Sequence, residues 1–222
     1  MSRIIVITGT DTGVGKTLLT AQLARHLRTQ GVKVAALKPL CSGGRDDARA
    51  LHRVLDGALT LDEINPWFFR APLAPLLAGR MEKRRVSLRE VVTQVRGVAK
   101  RFEVVLVEGA GGLLSPLGEN FSTRELIDAL DAEAFIAAPN RLGVVNHLRL
   151  TLEALPPRFA QRARIILMSP KKSGAASRTN LAMLAEFLGE KKVIEFPFLS
   201  RPENLSPSAA DRVRRALEFL LD

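Results

Sequence analysis

The chain is poor in the residues on which several function classes depend. It has one cysteine in 222 residues, Cys41, and aromatics make up only 5% of it. A single thiol excludes an internal disulfide and any metal site built from cysteines. No run of about 18 apolar residues occurs, so no segment is suited to cross a bilayer as a helix. The N-terminus goes straight into a strand-like run with no signal or transit pattern, so the expected location is the cytoplasm. Repeats and low-complexity segments are also absent. Acidic residues are outnumbered, 23 Asp and Glu against 33 Lys and Arg, for a net charge of +10. That excess invites a nucleic-acid reading. Against it, the basic residues are scattered over predicted helix faces and the few aromatics offer little stacking surface. The one cluster, Arg80 to Arg85, is broken by Glu82 and fits a solvated helix end. The expectation is no nucleic-acid partner and no membrane, and the charge suits a protein whose ligands are anions.

What is present is a stretch near the start, R-I-I-V-I-T-G-T-D-T-G-V-G-K-T over residues 3–17. The β-branched run Ile4 to Thr8 reads as a buried strand, followed by a glycine-rich turn and a helix opening at Lys16-Thr17. This order is the context a phosphate-binding loop requires. Glycines let successive backbone N–H groups point at one anion, helped by the positive end of the helix. Lys16 adds a cation for the β- and γ-phosphates, and the Thr17 hydroxyl is placed for Mg²⁺. Counted back from Gly15-Lys16, the first glycine falls one position early, at Gly9 instead of residue 10, so the loop is one residue long.

The length fits one α/β domain with a substantial core. Along the chain, strand patterns alternate with helical ones. A helix is predicted over 17–29 and a strand over 32–37, ending in Lys38-Pro39. The polar loop C-S-G-G-R-D-D leads to a helix over 46–55. Residues 59–71 are poorly patterned, and Pro72 is suited to open a helix. Ser87 with Glu90 makes a capping box for a helix over 87–101. A buried strand over 103–107 ends in Glu108 and Gly109-Ala110-Gly111-Gly112. Helices over 122–130, 143–155, 176–188 and 206–221 then alternate with strands over 133–138, 163–168 and 192–196. Such alternation predicts a single-domain, mostly parallel sheet with helices on both faces. Ligands of these sheets bind at the carboxyl ends of the strands.

Three strand ends carry polar groups there: Gly9 to Thr17, Lys38 to Asp47, and Glu108 to Gly112. Thr17, Asp47 (or Asp46) and Glu108 supply the hydroxyl and carboxylates that Mg²⁺ needs. Glu108 follows four apolar residues, where a Walker-B-type acid sits. Lys38 is placed for a second cation on a transferring phosphoryl group. Ser42 either contacts a ligand or starts a turn, and Cys41 reads as a packed side chain. His26 and His52 read as helix-surface residues, and His147 is ambiguous.

Together these residues resemble dethiobiotin synthetase. The resemblance rests on G-T-D-T-x-V-G-K-T at Gly9 to Thr17, Lys38-Pro39 with Ser42, and Asp47 in D-A-x-A-L. It continues with Asn65-Pro66, V-E-G-A-G-G at Val107 to Gly112, Pro116-Leu117, L-G-x-x-N-H at Leu142 to His147, and Pro197, Leu199, Pro202 and Glu203. It implies a P-loop NTPase-like fold and an ATP-dependent cyclo-ligase that carboxylates 7,8-diaminononanoate with CO₂ and closes a ureido ring. Lys16 and Lys38 would neutralise charge, and Thr12 and Ser42 would orient the diamine. ATP would lie on Gly13, Val14, Gly15, Lys16, Thr17 and Leu18, with Asp47, Glu108, Gly109, Ala110 and Gly111 beside its phosphates. Its base would meet Ser169, Pro170, Pro197, Phe198, Leu199 and Glu203. Mg²⁺ would be held by Thr17, Asp47 and Glu108. In a homodimer, Gly143, Val144 and Asn146 of the partner subunit would take the substrate carboxylate. The chain departs from the family where Ser169 stands in place of the base-reading asparagine, and Gly13 stands where some members have glutamate.

Two other readings start from the same loop. Partitioning or septum-positioning ATPase switches share the sheet, but carry a signature lysine five residues before the invariant one, where this chain has Asp11. Cobyrinate synthetases of the amidotransferase type share the N-terminal half and add a glutamine-hydrolysing domain that this length does not hold.

Overall fold

The computed structural model describes residues 2–221. Its frame is a six-stranded parallel sheet in the order β2-β5-β1-β6-β7-β8. The strands are β1 (Arg3–Gly9), β2 (Val34–Leu37), β5 (Val104–Glu108), β6 (Glu133–Pro139), β7 (Arg164–Met168) and β8 (Val193–Phe196). Their Val, Ile, Leu and Ala runs are almost wholly buried, as expected of strands covered on both faces. Parallel neighbours need crossovers, and here those are helical. The order reverses beside β1: the chain first goes out to the edge strand β2, returns to β5 between β2 and β1, then crosses to β6, β7 and β8. The carboxyl ends of β1 and β5 open at that switch point.

The covering helices are α1 (Lys16–Thr29), α2 (Asp46–Leu55), α5 (Leu88–Ala99), α6 (Thr123–Leu130), α7 (Val144–Glu153), α9 (Ala175–Leu188) and α10 (Pro207–Leu221). Each lies where the sequence pattern places it. The Ser87–Glu90 capping box forms as expected: Ser87 donates its backbone N–H to Glu90 (2.8 Å) and accepts from the Glu90 N–H (3.3 Å).

Four features depart from the sequence reading. Residues 59–71, unpatterned in sequence, hold α3 (Leu61–Ile64), opened by a Thr60–Glu63 capping box, and β4 (Trp67–Phe69). β4 pairs in parallel with β3 (Leu40–Ser42), within the segment read as a polar loop. Elements of three or four residues are too short to show a period. Pro75, not Pro72, opens the next helix, α4 (Pro75–Met81). Finally, α8 (Pro157–Arg162) occupies the connection into β7. Arg80, in the last turn of α4, pairs with Glu119 (2.8 Å), and Arg84 donates to the Phe68 carbonyl. These two arginines of the cluster are held by partners at and just beyond the end of α4. No helix among the described residues is long and apolar enough to cross a membrane.

Candidate nucleotide and phosphoryl-transfer site

The stretch after β1 curls between Gly9 and the start of α1. Gly15 caps that helix at φ +97, a left-handed geometry, and a Cβ there would lie 2.9 Å from the Met168 methyl. Only glycine meets both conditions without strain. Lys16 is buried, and its Nζ donates to the Asp11 carbonyl of the same loop (2.8 Å). Burial, then the nearby charge of Lys38, lower its pKa to about 8. The Thr17 hydroxyl donates to Glu108 Oε1 (2.7 Å). Thr12 and Gly13 are exposed on the rim, and Val14 turns inward to the core.

The strand ends bring Lys38 to the middle of this arrangement. Its Nζ lies 2.7 Å from Glu108 Oε1, 2.9 Å from the Gly109 carbonyl and 3.1 Å from Asp47 Oδ2. Burial alone would lower the pKa of this ammonium. The Glu108 and Asp47 carboxylates outweigh it and hold Lys38 above the ordinary lysine value. Burial likewise works against the Asp47 carboxylate, but Lys38, the Thr17 hydroxyl and Lys16 together keep it below the ordinary range. The two aspartates differ in placement: Asp46 is turned to solvent and pairs with Arg49, whereas Asp47 faces the crevice.

A crevice of about 690 Å³ joins these groups, lined by Lys16, Thr17, Lys38, Ser42, Asp47 and Glu108, with Thr12, Gly13, Ala110 and Gly111 at its edges. Gly109 is buried behind it. Sequence reasoning missed its opposite wall, Pro72 to Pro75, and Ser115, whose hydroxyl accepts from the Gly112 N–H (2.8 Å). Proline punctuation was the available signal for that wall. Cys41 also lines the crevice, though it is buried, and burial pushes its thiol up to about 11.

The residues expected around a base do not share one cavity. Ser169, Pro170, Pro197 and Phe198 border a cleft of about 650 Å³ along β8. There the Ser169 hydroxyl donates to Glu195 Oε1 (2.8 Å), which also accepts from Asn140 (3.1 Å). Glu203 borders a separate cleft of about 320 Å³ with Thr17, Leu18 and Gln22, and Leu199 is buried. Glu195 was not foreseen; an acid inside the run V-I-E-F was its one signal. Gly143 and Asn146 lie in a third groove of about 660 Å³ between α7 and α9, while Val144 is buried. None of these three lines the Lys38 crevice.

A glycine-rich loop on a helix N-terminus, a loop lysine and hydroxyl, and an acid ending a neighbouring strand define a P-loop nucleotide-binding protein. The AAA domain family matches residues 3–204. The ATP-dependent dethiobiotin synthetase BioD of Anaeromyxobacter sp. (strain Fw109-5) is 46% identical over 74% of this chain and 76% of its own. That of Bacillus velezensis is 31% identical over 99% of this chain and 94% of its own. Among solved structures, a ParA family ATPase from Chlorobium tepidum TLS covers all of this chain and 99% of its own, with a TM-score of 0.61. Its 14% identity makes it a likeness of fold. The chain belongs to the dethiobiotin synthetase family.

Proposed function

We propose that this chain is an ATP-dependent ligase of biotin biosynthesis that carboxylates 7,8-diaminononanoate with CO₂ and closes the ureido ring, giving dethiobiotin, ADP and phosphate. Family membership supports the ATP-dependent synthetase chemistry. The observation that carries the site assignment is Lys38 Nζ held between Glu108 and Asp47, in the same crevice as Lys16 and Thr17.

In this reading one substrate amine takes up CO₂ as a carbamate. A carbamate oxygen attacks the γ-phosphorus and ADP leaves. The second amine then attacks the carbonyl carbon of the mixed anhydride, expelling phosphate. Both oxyanions are negative, so the task of the site is positioning and neutralisation. Lys16 serves the β- and γ-phosphates, Lys38 the carbamate and the transferring group, and Thr12 and Ser42 orient the diamine.

The donor set suits Mg²⁺. Glu108 is 1% exposed, and its Oε2 has no hydrogen-bond partner among the described residues. The Lys38 ammonium already sits as a cation between Glu108 and Asp47, and Thr17 adds a hydroxyl. Two carboxylates and a hydroxyl are enough for an ion that keeps several waters. Thr17, Asp47 and Glu108 would hold it, and it would supply positive charge against the phosphate oxygens.

The substrate carboxylate is assigned to Gly143, Val144 and Asn146 at the start of α7, supplied by the partner of a homodimer. That helix start lies outside the Lys38 crevice, as a site shared between two copies requires. Leu142, Leu150, Met183 and Phe187 give the same α7–α9 face an exposed apolar surface. The test is dethiobiotin formation measured with each of ATP, bicarbonate and the diamine withheld in turn. Strict dependence on all three is expected. ATP turnover that ignores the diamine and is stimulated by DNA or lipid would replace this reading with a regulatory switch.

A further inference from the structure

Lys38, Ser42 and Asp47 lie on one segment whose middle is Gly43-Gly44, with Gly43 at φ +76. Such a segment does not hold three side chains in register by itself. What holds it is the stretch after α3. Lys38 donates its N–H to the Ile64 carbonyl (3.0 Å), and Trp67 donates to the Pro39 carbonyl (3.1 Å). Between them Asn65, 1% exposed, donates its side-chain amide to the carbonyls of Lys38 (2.8 Å) and Pro39 (3.2 Å). Its own Oδ1 accepts from Arg45 Nε (3.1 Å). Arg45 Nη2 also donates to the carbonyls of Asn65 (2.9 Å) and Leu61 (3.1 Å) and to Asp62 (2.8 Å).

Arg45 is the N-cap residue of α2, the helix whose first turn carries Asp47. Asn65 therefore ties the end of β2 to the start of α2, so the 3.1 Å approach of Lys38 to Asp47 is fixed from outside the crevice. Neither Arg45 nor Asn65 lines the crevice. We propose that Asn65, braced by Arg45, is a positioning residue that sets Lys38, Ser42 and Asp47 for phosphoryl transfer. This rests on the proposed synthetase activity. The residue type follows from the contacts: two carbonyls need a donor and a guanidinium needs an acceptor, and an amide offers both. A carboxylate of the same shape would face the carbonyls with a second acceptor.

Asn65→Asp keeps the volume and removes the donor. Arg45→Lys, on a partly exposed side chain, keeps the charge and removes the fork. In both variants kcat for dethiobiotin formation should fall about 10- to 100-fold, the scale of a 1 Å misplacement. The Kd for ADP, read by calorimetry without Mg²⁺ so that Asp47 is not engaged, should move by less than about 3-fold, because the glycine-rich loop is untouched. Hydrogen exchange over residues 38–44 should quicken about 10-fold or more while β1 and β5 stay protected. Should Asn65→Asp not fold, Arg45→Lys carries the test. Unchanged kcat and exchange in a folded variant would overturn the proposal. So would parallel loss of kcat, ADP binding and melting temperature, which marks a merely structural role. If the wild-type chain makes no dethiobiotin, the proposed activity falls, while the exchange measurement still decides whether the clamp exists.

Discussion

Lys38 is the side chain at which stability and the proposed chemistry meet. Its ammonium neutralises two carboxylates, one of them fully buried. Lys38→Met would leave the Glu108 charge without its cation, and breaking such a buried pair costs about 3–5 kcal/mol. We expect both a marked fall in melting temperature and loss of dethiobiotin synthesis. A variant that melted normally would mean that Glu108 does not depend on this partner. Lys16→Ala acts differently, because the Lys16 ammonium donates to a loop carbonyl and is not hydrogen-bonded to a carboxylate among the described residues. Stability should hold while turnover drops by about tenfold or more, the worth of a charge-assisted contact. Near-normal turnover would remove Lys16 from the mechanism. Ser169 supports a third expectation. Its hydroxyl is taken up by Glu195 and offers no paired donor and acceptor to a base edge. ATP, GTP and CTP should compete within about tenfold of one another, roughly 1.4 kcal/mol. A preference of about 1000-fold for ATP would show that another group reads the base.

Among the elements, α6 has an end worth testing. Ser122 donates its N–H (2.8 Å) and its hydroxyl (2.7 Å) to Glu125, and accepts from the Arg124 N–H (3.2 Å). Ser122→Ala should cost about 1 kcal/mol in chemical denaturation. Burial alone would raise the Glu125 carboxyl, but the Ser122 hydroxyl and N–H, with Arg124, pull it down to about 2 from an ordinary 4.5. A depressed carboxyl stabilises the fold above its unfolded pKa, and that contribution is lost as pH falls through the folded one. Between pH 4.5 and about 2, Glu125→Gln should therefore show a shallower decline in stability than the wild type. Parallel curves would place the acid sensitivity elsewhere. The paired short strands β3 and β4 form the other decisive element, since their register sets Ser42 opposite Phe69 just before Gly43-Gly44.

For the whole molecule, the open question is whether two copies share a site. Leu142 is 86% exposed and Leu150 61% exposed, beside the groove that holds Gly143 and Asn146. Leu150→Glu leaves the core intact, so it should yield a folded monomer by light scattering that has lost synthesis. Mixing Lys16→Ala with Asn146→Glu tests the sharing directly. If each site draws on both copies, a mixed dimer carries one doubly defective site and one intact site. Random exchange should then restore about a quarter of wild-type activity. No recovery despite proven exchange would confine each site to one chain.

The alternation of apolar strands with amphipathic helices, the lengthened glycine loop and an acid after four buried residues were all legible in the sequence. These signals are local: period, capping and spacing act within a few residues and do not depend on what packs above them. Lys16, Thr17, Lys38 and Glu108 could be named from them. Tertiary structure decided what local signals do not encode. It turned Asp47 rather than Asp46 toward Lys38, because the facing of α2 depends on its packing. It paired β3 with β4, folded the Pro72 to Pro75 wall over the crevice, and set Asn65 beneath Lys38 from 27 residues away. Contacts across such distances form only when the sheet order brings segments together, and no window of sequence contains both partners.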